Sequence, residues 1–231
     1  MSSRLPIIAI DGPAGAGKST VTKLVAARLG LLFLDTGAMY RAITWLVMEA
    51  NLAPDDELKI AELVDRAKIT LTGERVIVND IDVTQAIRTP AVTNQVSTIA
   101  ALGVVRTSLV KQQQAIGAQG GIVAEGRDMC THVFPDAHVK IFLTASVNER
   151  ARRRQQDLIN QGQAEVNLTE LAQLIAQRDQ IDSNREISPL TKAADAIEII
   201  TDGLTIEAVV DRIVEMYQSV NHQSCTNDET A

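Results

Sequence analysis

The 231 residues carry 22 basic against 29 acidic side chains, a formal charge of −7, and 45% of them are hydrophobic. A chain of this size can bury a sizeable core and build an enzyme, while its acidity disfavours non-specific attraction to nucleic acid or to an anionic membrane, so any basic site must be local. Two cysteines, Cys130 and Cys225, with no C-x-x-C pair, suggest neither a disulfide framework nor a zinc site and fit a reduced cytoplasm, and the sequence shows no apolar run of membrane-spanning length and no signal-peptide core.

An apolar run over residues 7–10 stops at Asp11 and enters Gly12, Pro13, Ala14, Gly15, Ala16, Gly17, Lys18 and Ser19. This satisfies G-x-x-x-x-G-K-[ST] at every specified position, with a strand pattern before it and a helical pattern after it, as a phosphate-binding loop (P-loop) requires. Glycines let the backbone curl so that successive N–H groups face phosphate oxygens, and the helix N-terminus adds its positive dipole end. Lys18 is expected to reach the outer phosphates and the Ser19 hydroxyl to ligate Mg²⁺, with Thr20 completing the nucleotide-binding set. Asp11 and Asp128 are the candidates for a further Mg²⁺ ligand.

Val21, Leu24, Val25 and Leu29 predict a first helix over residues 19–29, stopped by Gly30. A strand over 31–34 follows, then a second helix through Tyr40, Ile43, Trp45, Val47 and Met48. This alternation predicts an α/β fold: a parallel sheet with helices on its faces and ligands at the carboxyl ends of its strands. A helix starting near Pro54 runs to about residue 67; short antiparallel strands over 69–71, 76–79 and 81–83, turning at residues 72–75, then read as an inserted subdomain. Helical patterns resume from Pro90 and over 104–119, and buried strands follow over 122–125 and 139–143. A basic helix over 146–161 is broken by Gly162, another helix over 168–185 is ended by Pro189, and a strand over 196–200 and a helix over 205–217 close the fold. The expected partition is one domain over 4–220: a core of 4–35, 104–147 and 190–220, an acceptor-binding part over 36–103, and an arginine-rich lid over 148–189. The polar tail over 221–231 is expected to be disordered.

Arginines gather at later positions. Arg41 follows the second strand; Arg127 and Asp128 directly follow a buried strand, at the sheet edge where charged side chains tend to face a ligand. Arg178, Asp182 and Arg185 fall at i, i+4 and i+7, on one helical face. A surface ion-pair ladder would contribute only a few tenths of a kcal/mol per pair, roughly, and basic-before-acidic is the weaker order. An aspartate holding two guanidinium groups in a fixed attitude is better motivated if each grips phosphate bidentately. Arg150, Arg152, Arg153 and Arg154 wrap around one helix, so only some can face a single site. His132, His138 and His222 lack paired spacing and read as structural, and Cys130 reads as a small buried filler.

A P-loop with arginines gathered later in an acidic chain fits phosphoryl transfer between two phosphate-bearing substrates, because bringing two anions together requires cations that also stabilise the transferring group. A phosphate acceptor is already ionised near neutrality and needs little general-base help, in keeping with the lack of an evident catalytic base. The alternatives are another P-loop small-molecule kinase and, from a different class, a GTP-dependent switch; the sequence has no N-K-x-D guanine-reading motif.

Five segments carry a resemblance: IDGPAGAGKST, LDTGAMYR from Leu34, IRTPAVTNQVS from Ile87, EGRDMCTHVFPDAHVKIFL from Glu125, and the RD..D..R pattern from Arg178. Over residues 7–216 the chain resembles the bacterial cytidylate kinases, the long form of the nucleoside monophosphate kinases, and the strand-rich insertion matches that family too. The resemblance implies a three-layer P-loop kinase core, a strand-containing monophosphate-binding insertion and a helical lid. It further implies ATP-dependent phosphorylation of CMP and dCMP with Mg²⁺, by a cytoplasmic monomer with no nucleic-acid or membrane partner. By motif match it implies that Thr36 and Ser97 contact the monophosphate, with Gly126 beside them. Arg41, Arg127 and Arg178 would meet its phosphate or the transferred group, Asp128 and Asp182 the sugar or base, and Arg106 and Arg185 the remaining cytosine or phosphate contacts. The implied catalytic set is Lys18, Arg127, Asp128, Arg178 and Arg185. Three departures stand out: Thr36 where serine is common, Cys130 for a usual glycine, and Ile181 at a position often basic.

Overall fold

The computed structural model describes residues 5–73, 75–160 and 167–228, and for residues 221–228 the backbone alone. The expected break at Gly162, the turn residue Glu74 and the ends of the chain at 1–4 and 229–231 lie outside the described residues.

A five-stranded sheet has the order β2-β6-β1-β7-β8, with β1 at Ile7–Asp11, β2 at Leu32–Asp35, β6 at Ile122–Gly126, β7 at Val139–Thr144 and β8 at Ile197–Ile200. β1 is parallel to both β6 and β7, and β8 is parallel to β7. All five residues of β1 are buried, which is why it reads as an unbroken apolar run rather than an alternating one. Its register matters for the site: Asp11 pairs with Gly126 of β6 and with Phe142 of β7, so Gly12 and Arg127 leave adjacent strands at the same level.

The chain divides into two compact units, one of residues 1–33, 119–184 and 188–231, the other of 34–118 and 185–187. In the first, the sheet is covered by α1 (Lys18–Leu29) and by α8, which begins at Ile206; Ile8, Ile10, Val21, Val25, Ile141, Val209, Val210 and Ile213 share one buried core. At roughly 1.5–3 kcal/mol per buried aliphatic side chain, this core dominates the unit's stability over any surface ion pair. The same unit holds α6 (Val147–Asn160) and α7 (Leu168–Asn184), which pack on each other through Ala151, Leu158 and Leu171.

The second unit contains α2 (Thr36–Glu49), α3 (Glu57–Arg66), a three-stranded antiparallel sheet, α4 (Pro90–Ala101) and α5 (Gly103–Ile116). Asp35 caps α2 by accepting the Ala38 N–H, and Thr89 caps α4 ahead of a proline at its first turn. The sheet strands are β3 (Ile69–Thr72), β4 (Arg75–Val78) and β5 (Ile81–Asp82), with Asn79 and Asp80 both at positive φ in the second turn. Their inner face joins Val76, Val78, Val83 and Ile87 to Ala38 and Ala42 of α2.

Three boundaries differ from the periodicity. Helix α5 belongs to the second unit rather than to the core, because it packs on α2, α3 and α4. Helix α7 stops at Asn184, because Ser188 adopts φ 50 before Pro189 and the Leu190 N–H closes on the Asp182 carbonyl; Arg185 therefore lies past the helix and groups with the second unit. Helix α8 continues to Asp228, past the expected end at residue 217: neither glycine nor proline follows Gly203 to stop it. A short 3₁₀ turn at Ala86–Arg88 and a single π-type turn at Met129–Val133 carried no periodic signal.

Candidate active site

In the first unit, β1 delivers the chain into the loop of residues 12–19. Gly12 has φ +148, and a β-carbon there would lie 1.9 Å from the Leu143 carbonyl oxygen, so the loop can leave the sheet against β7 only as glycine. Gly15 and Gly17 also take positive φ, and α1 begins at Lys18. Pro13 and Ala16 are buried, Ala14 and Gly17 half-buried, and Gly15, Ser19 and Thr20 exposed.

Lys18 is 6% exposed, and its Nζ donates to the carbonyls of Gly12 and Pro13, each at 2.8 Å. Burial first, and the positive charges of Arg127 and Arg178 with it, lower its ammonium from the ordinary 10.5 to about 7, against the opposing pull of Glu125 and Asp11. Three cations thus share one electrostatic neighbourhood inside an acidic protein, a setting that an anion would relieve.

Asp11 accepts the N–H groups of Met129 at 2.8 Å and Cys130 at 2.7 Å with its two oxygens. Burial raises its pKa while those amides hold it down, and nearby Asp128 pushes it up further. Through both oxygens Asp11 braces the π-type turn after β6. Among the described residues no group of three or more His, Cys, Asp or Glu side chains could hold a metal ion. The exposed Ser19 beside Lys18 fits a Mg²⁺ of the kind bound mainly by phosphate oxygens and water.

Gly126 ends β6, and Arg127 follows it, its Nε 2.9 Å from Asp182 Oδ2 on α7. Asp182, expected to hold Arg178 and Arg185, forms an ion pair with Arg127, a partner 55 residues away that helical spacing cannot reveal. Arg178 is half-buried on α7, and Asp128 is 1% exposed, its carbonyl accepting the N–H groups of His132 and Val133. His138 accepts the Ile7 N–H through Nδ1, and His132 bonds Thr131, in keeping with structural histidines; the His222 side chain lies outside the described residues.

The basic helix α6 resolves into two faces. Arg150, 4% exposed, forms a two-pronged pair with Asp179 and also donates to the Ala14 carbonyl of the loop. Arg153 donates to the Ala16 carbonyl at 3.5 Å and to both oxygens of Thr201 at 3.0 and 2.9 Å. Arg152 points away, 70% exposed and paired only locally with Glu149. Asp179 stood in the sequence only as the aspartate of the RD motif, without a role, and Thr201 carried no signal, although it directly follows β8 at the carboxyl edge of the sheet.

In the second unit, Thr36 is buried at the start of α2. One turn on, Arg41 donates to Thr93 Oγ1 at 2.8 Å and to the Ile87 carbonyl at 3.3 Å. Ser97 is half-buried on α4, and Arg185 is half-buried. Arg106 is 2% exposed, donates to the Ala100 carbonyl, and lies over the Tyr40 ring with its guanidinium carbon 5.4 Å from the centroid.

A parallel sheet whose first strand feeds a glycine loop around a buried lysine defines a P-loop protein of the kinase type. The fold is shared with a solved uncharacterized protein from Eubacterium ventriosum, with a TM-score of 0.51 over 93% of this chain and 99% of that one at 12% identity. A family model described as cytidylate kinase matches residues 8–219, and the chain belongs to the cytidylate kinase family. Relatives named bifunctional pantoate ligase/cytidylate kinase are 62% identical over 225 residues in a Nostoc species and 59% identical over 229 residues in a Synechocystis species. The matches cover 94% and 96% of this chain but 42% and 44% of those proteins, so the chain spans less than half the length of the curated relatives it matches.

Proposed function

We propose that the chain transfers the γ-phosphoryl group of ATP to CMP and dCMP by in-line displacement, the cytidylate kinase half of what those relatives' names describe. The observation that carries this reading is the buried Lys18 within the field of Arg127 and Arg178 on a family-matched P-loop. Lys18 exchanges the Gly12 and Pro13 carbonyls for the outer phosphates, the loop N–H groups hold the triphosphate, and Ser19 is the protein ligand of Mg²⁺. Held there, the metal would supply charge neutralisation at the phosphates. Arg127 and Arg178, joined by Arg185, hold the transferring group, and Asp182 orients Arg127. Thr36, Arg41, Ser97 and Arg106 hold the acceptor, and Asp128, next to Gly126, contributes to its sugar or base. The acceptor phosphate is itself the nucleophile and needs no strong base.

We further propose a monomer working in a reduced cytoplasm; among the described residues no helix is long and apolar enough to cross a membrane. ADP release measured with CMP, dCMP, UMP, AMP and shikimate tests the assignment. CMP and dCMP are expected to accelerate it most. Acceleration by another acceptor alone would reassign the chain among small-molecule kinases, and preference for GTP with no acceptor effect would make it a switch.

A further inference from the structure

We infer that Arg150 is a positioning residue for phosphoryl transfer, setting the helix that carries Arg178 against the phosphate-binding loop through Asp179 on one side and Ala14 on the other. This rests on the reading that Lys18 and Arg178 act on the same phosphates. Arg150 is an unusual arginine for a basic helix. Its Nε donates to the Ala145 carbonyl at 3.0 Å, one terminal nitrogen donates to Ala14 O at 3.1 Å and Asp179 Oδ1 at 3.0 Å, and the other to Asp179 Oδ2 at 2.6 Å. A single side chain thus joins the end of β7, the loop and α7.

Its stem is confined as well as its head. A β-carbon built on Gly15 would sit 3.3 Å from Arg150 Cβ and 3.7 Å from its Cγ, so the aliphatic part lies against the loop. With its charge neutralised by a bidentate carboxylate and 4% exposure, Arg150 could grip a phosphate only by abandoning Asp179. Arg152, two residues on, shows the contrast: exposed and paired within its own helix.

The placement of Asp179 gives the strut its consequence. It is the residue after Arg178 and lies one helical turn before Asp182, which holds Arg127. Helix α7 is therefore fastened at Asp179 to the loop side and at Asp182 to the residue after β6, and Arg178 lies on that fastened turn. A buried ion pair is a poor source of stability, since a well-packed apolar replacement is often as good. Fixing the attitude of a phosphate-gripping arginine is a demand that apolar packing meets less well, because misplacement of about 1 Å can cost on the order of 100-fold in rate.

The test uses the full chain, with kcat and KM for ATP and CMP measured separately. Arg150→Met and Asp179→Asn are each expected to lower kcat about 100-fold with both KM values within about threefold, and the double variant to be about as slow as either single one, because the strut is lost only once. A large rise in KM for ATP with kcat retained would make Arg150 a nucleotide ligand and overturn the proposal. So would multiplicative losses in the double variant, or a kcat within about threefold of the parent. If Arg150→Met does not fold, Arg150→Lys carries the test: it keeps the buried charge beside Asp179 but cannot span to Ala14, so the same loss of kcat is expected and a near-parental kcat overturns the strut. A parent chain that never turns over CMP overturns the underlying reading and the proposal with it, whereas an active parent with an equally fast Arg150→Met variant overturns the strut alone.

Discussion

The Nε of Arg127 lies 2.9 Å from Oδ2 of Asp182, fastening the residue that follows β6 to the last turn of α7. The side chains are 19% and 7% exposed, so the pair is sheltered from the screening that weakens surface ion pairs. Asp182→Asn keeps the shape and one acceptor but loses the charge. It is expected to lower kcat about 10- to 100-fold with a smaller effect on KM, and to reduce unfolding free energy by about 2 kcal/mol. Steady-state kinetics and urea unfolding check both, and unchanged kcat would remove Arg127 from the reacting group.

Lys18 makes a pH prediction. Its ammonium is lowered to about 7, chiefly by burial, against an ordinary 10.5. Between those values the unfolded chain binds one proton more than the folded one, so this group makes stability rise with pH through the window and contributes no slope below it. A bound triphosphate restores favourable negative charge and raises the pKa again, so ATP binding at about pH 8 is expected to take up close to one proton. Calorimetry in two buffers of different ionisation enthalpy measures it. Lys18→Met should bind more weakly and without the uptake; buffer-independent heats in the parent would contradict the prediction.

Two glycines separate clash from conformation. At Gly12 a β-carbon would meet the Leu143 carbonyl at 1.9 Å, whereas at Gly30, the C-cap of α1 with φ +66, nothing lies within 4 Å. Gly30→Ala is expected to cost about 1 kcal/mol, the ordinary penalty of left-handed backbone. Gly12→Ala should cost at least about 3 kcal/mol and abolish ATP binding, because backbone of β7 must move. Equal losses in urea unfolding would show that the loop can shift away from β7.

Cys130 is 2% exposed, and its thiol faces the carbonyls of Ala9 and Ile141. Burial, and then the carboxylate of Asp11, push its pKa far above the ordinary thiol range. A Cys225→Ser chain, with Cys130 as its sole cysteine, should resist a thiol-disulfide reagent at about pH 8 while folded and react at once in denaturant. Rapid labelling of the folded chain would mean that the turn after β6 opens readily.

Local signals carried much of this protein. The Gly12–Ser19 loop, Gly30 closing α1, the proline-led start of α4 and the buried run of β6 are written in adjacent residues, because turn geometry, capping and periodicity are short-range physics. The antiparallel strands between Ile69 and Asp82 were legible for the same reason. What the tertiary structure alone decided is which charged groups meet. The register of Asp11 with Gly126 brings Arg127 level with the loop, and Asp182 finds Arg127 across 55 residues. Arg150 turns inward to Ala14 and Asp179 while Arg152 turns outward, though both sit on one helix of uniform basic pattern. Helical propensity is the same for each of these arginines; which one is buried depends on the partner strand and loop packed against it, and that information is spread over the whole chain.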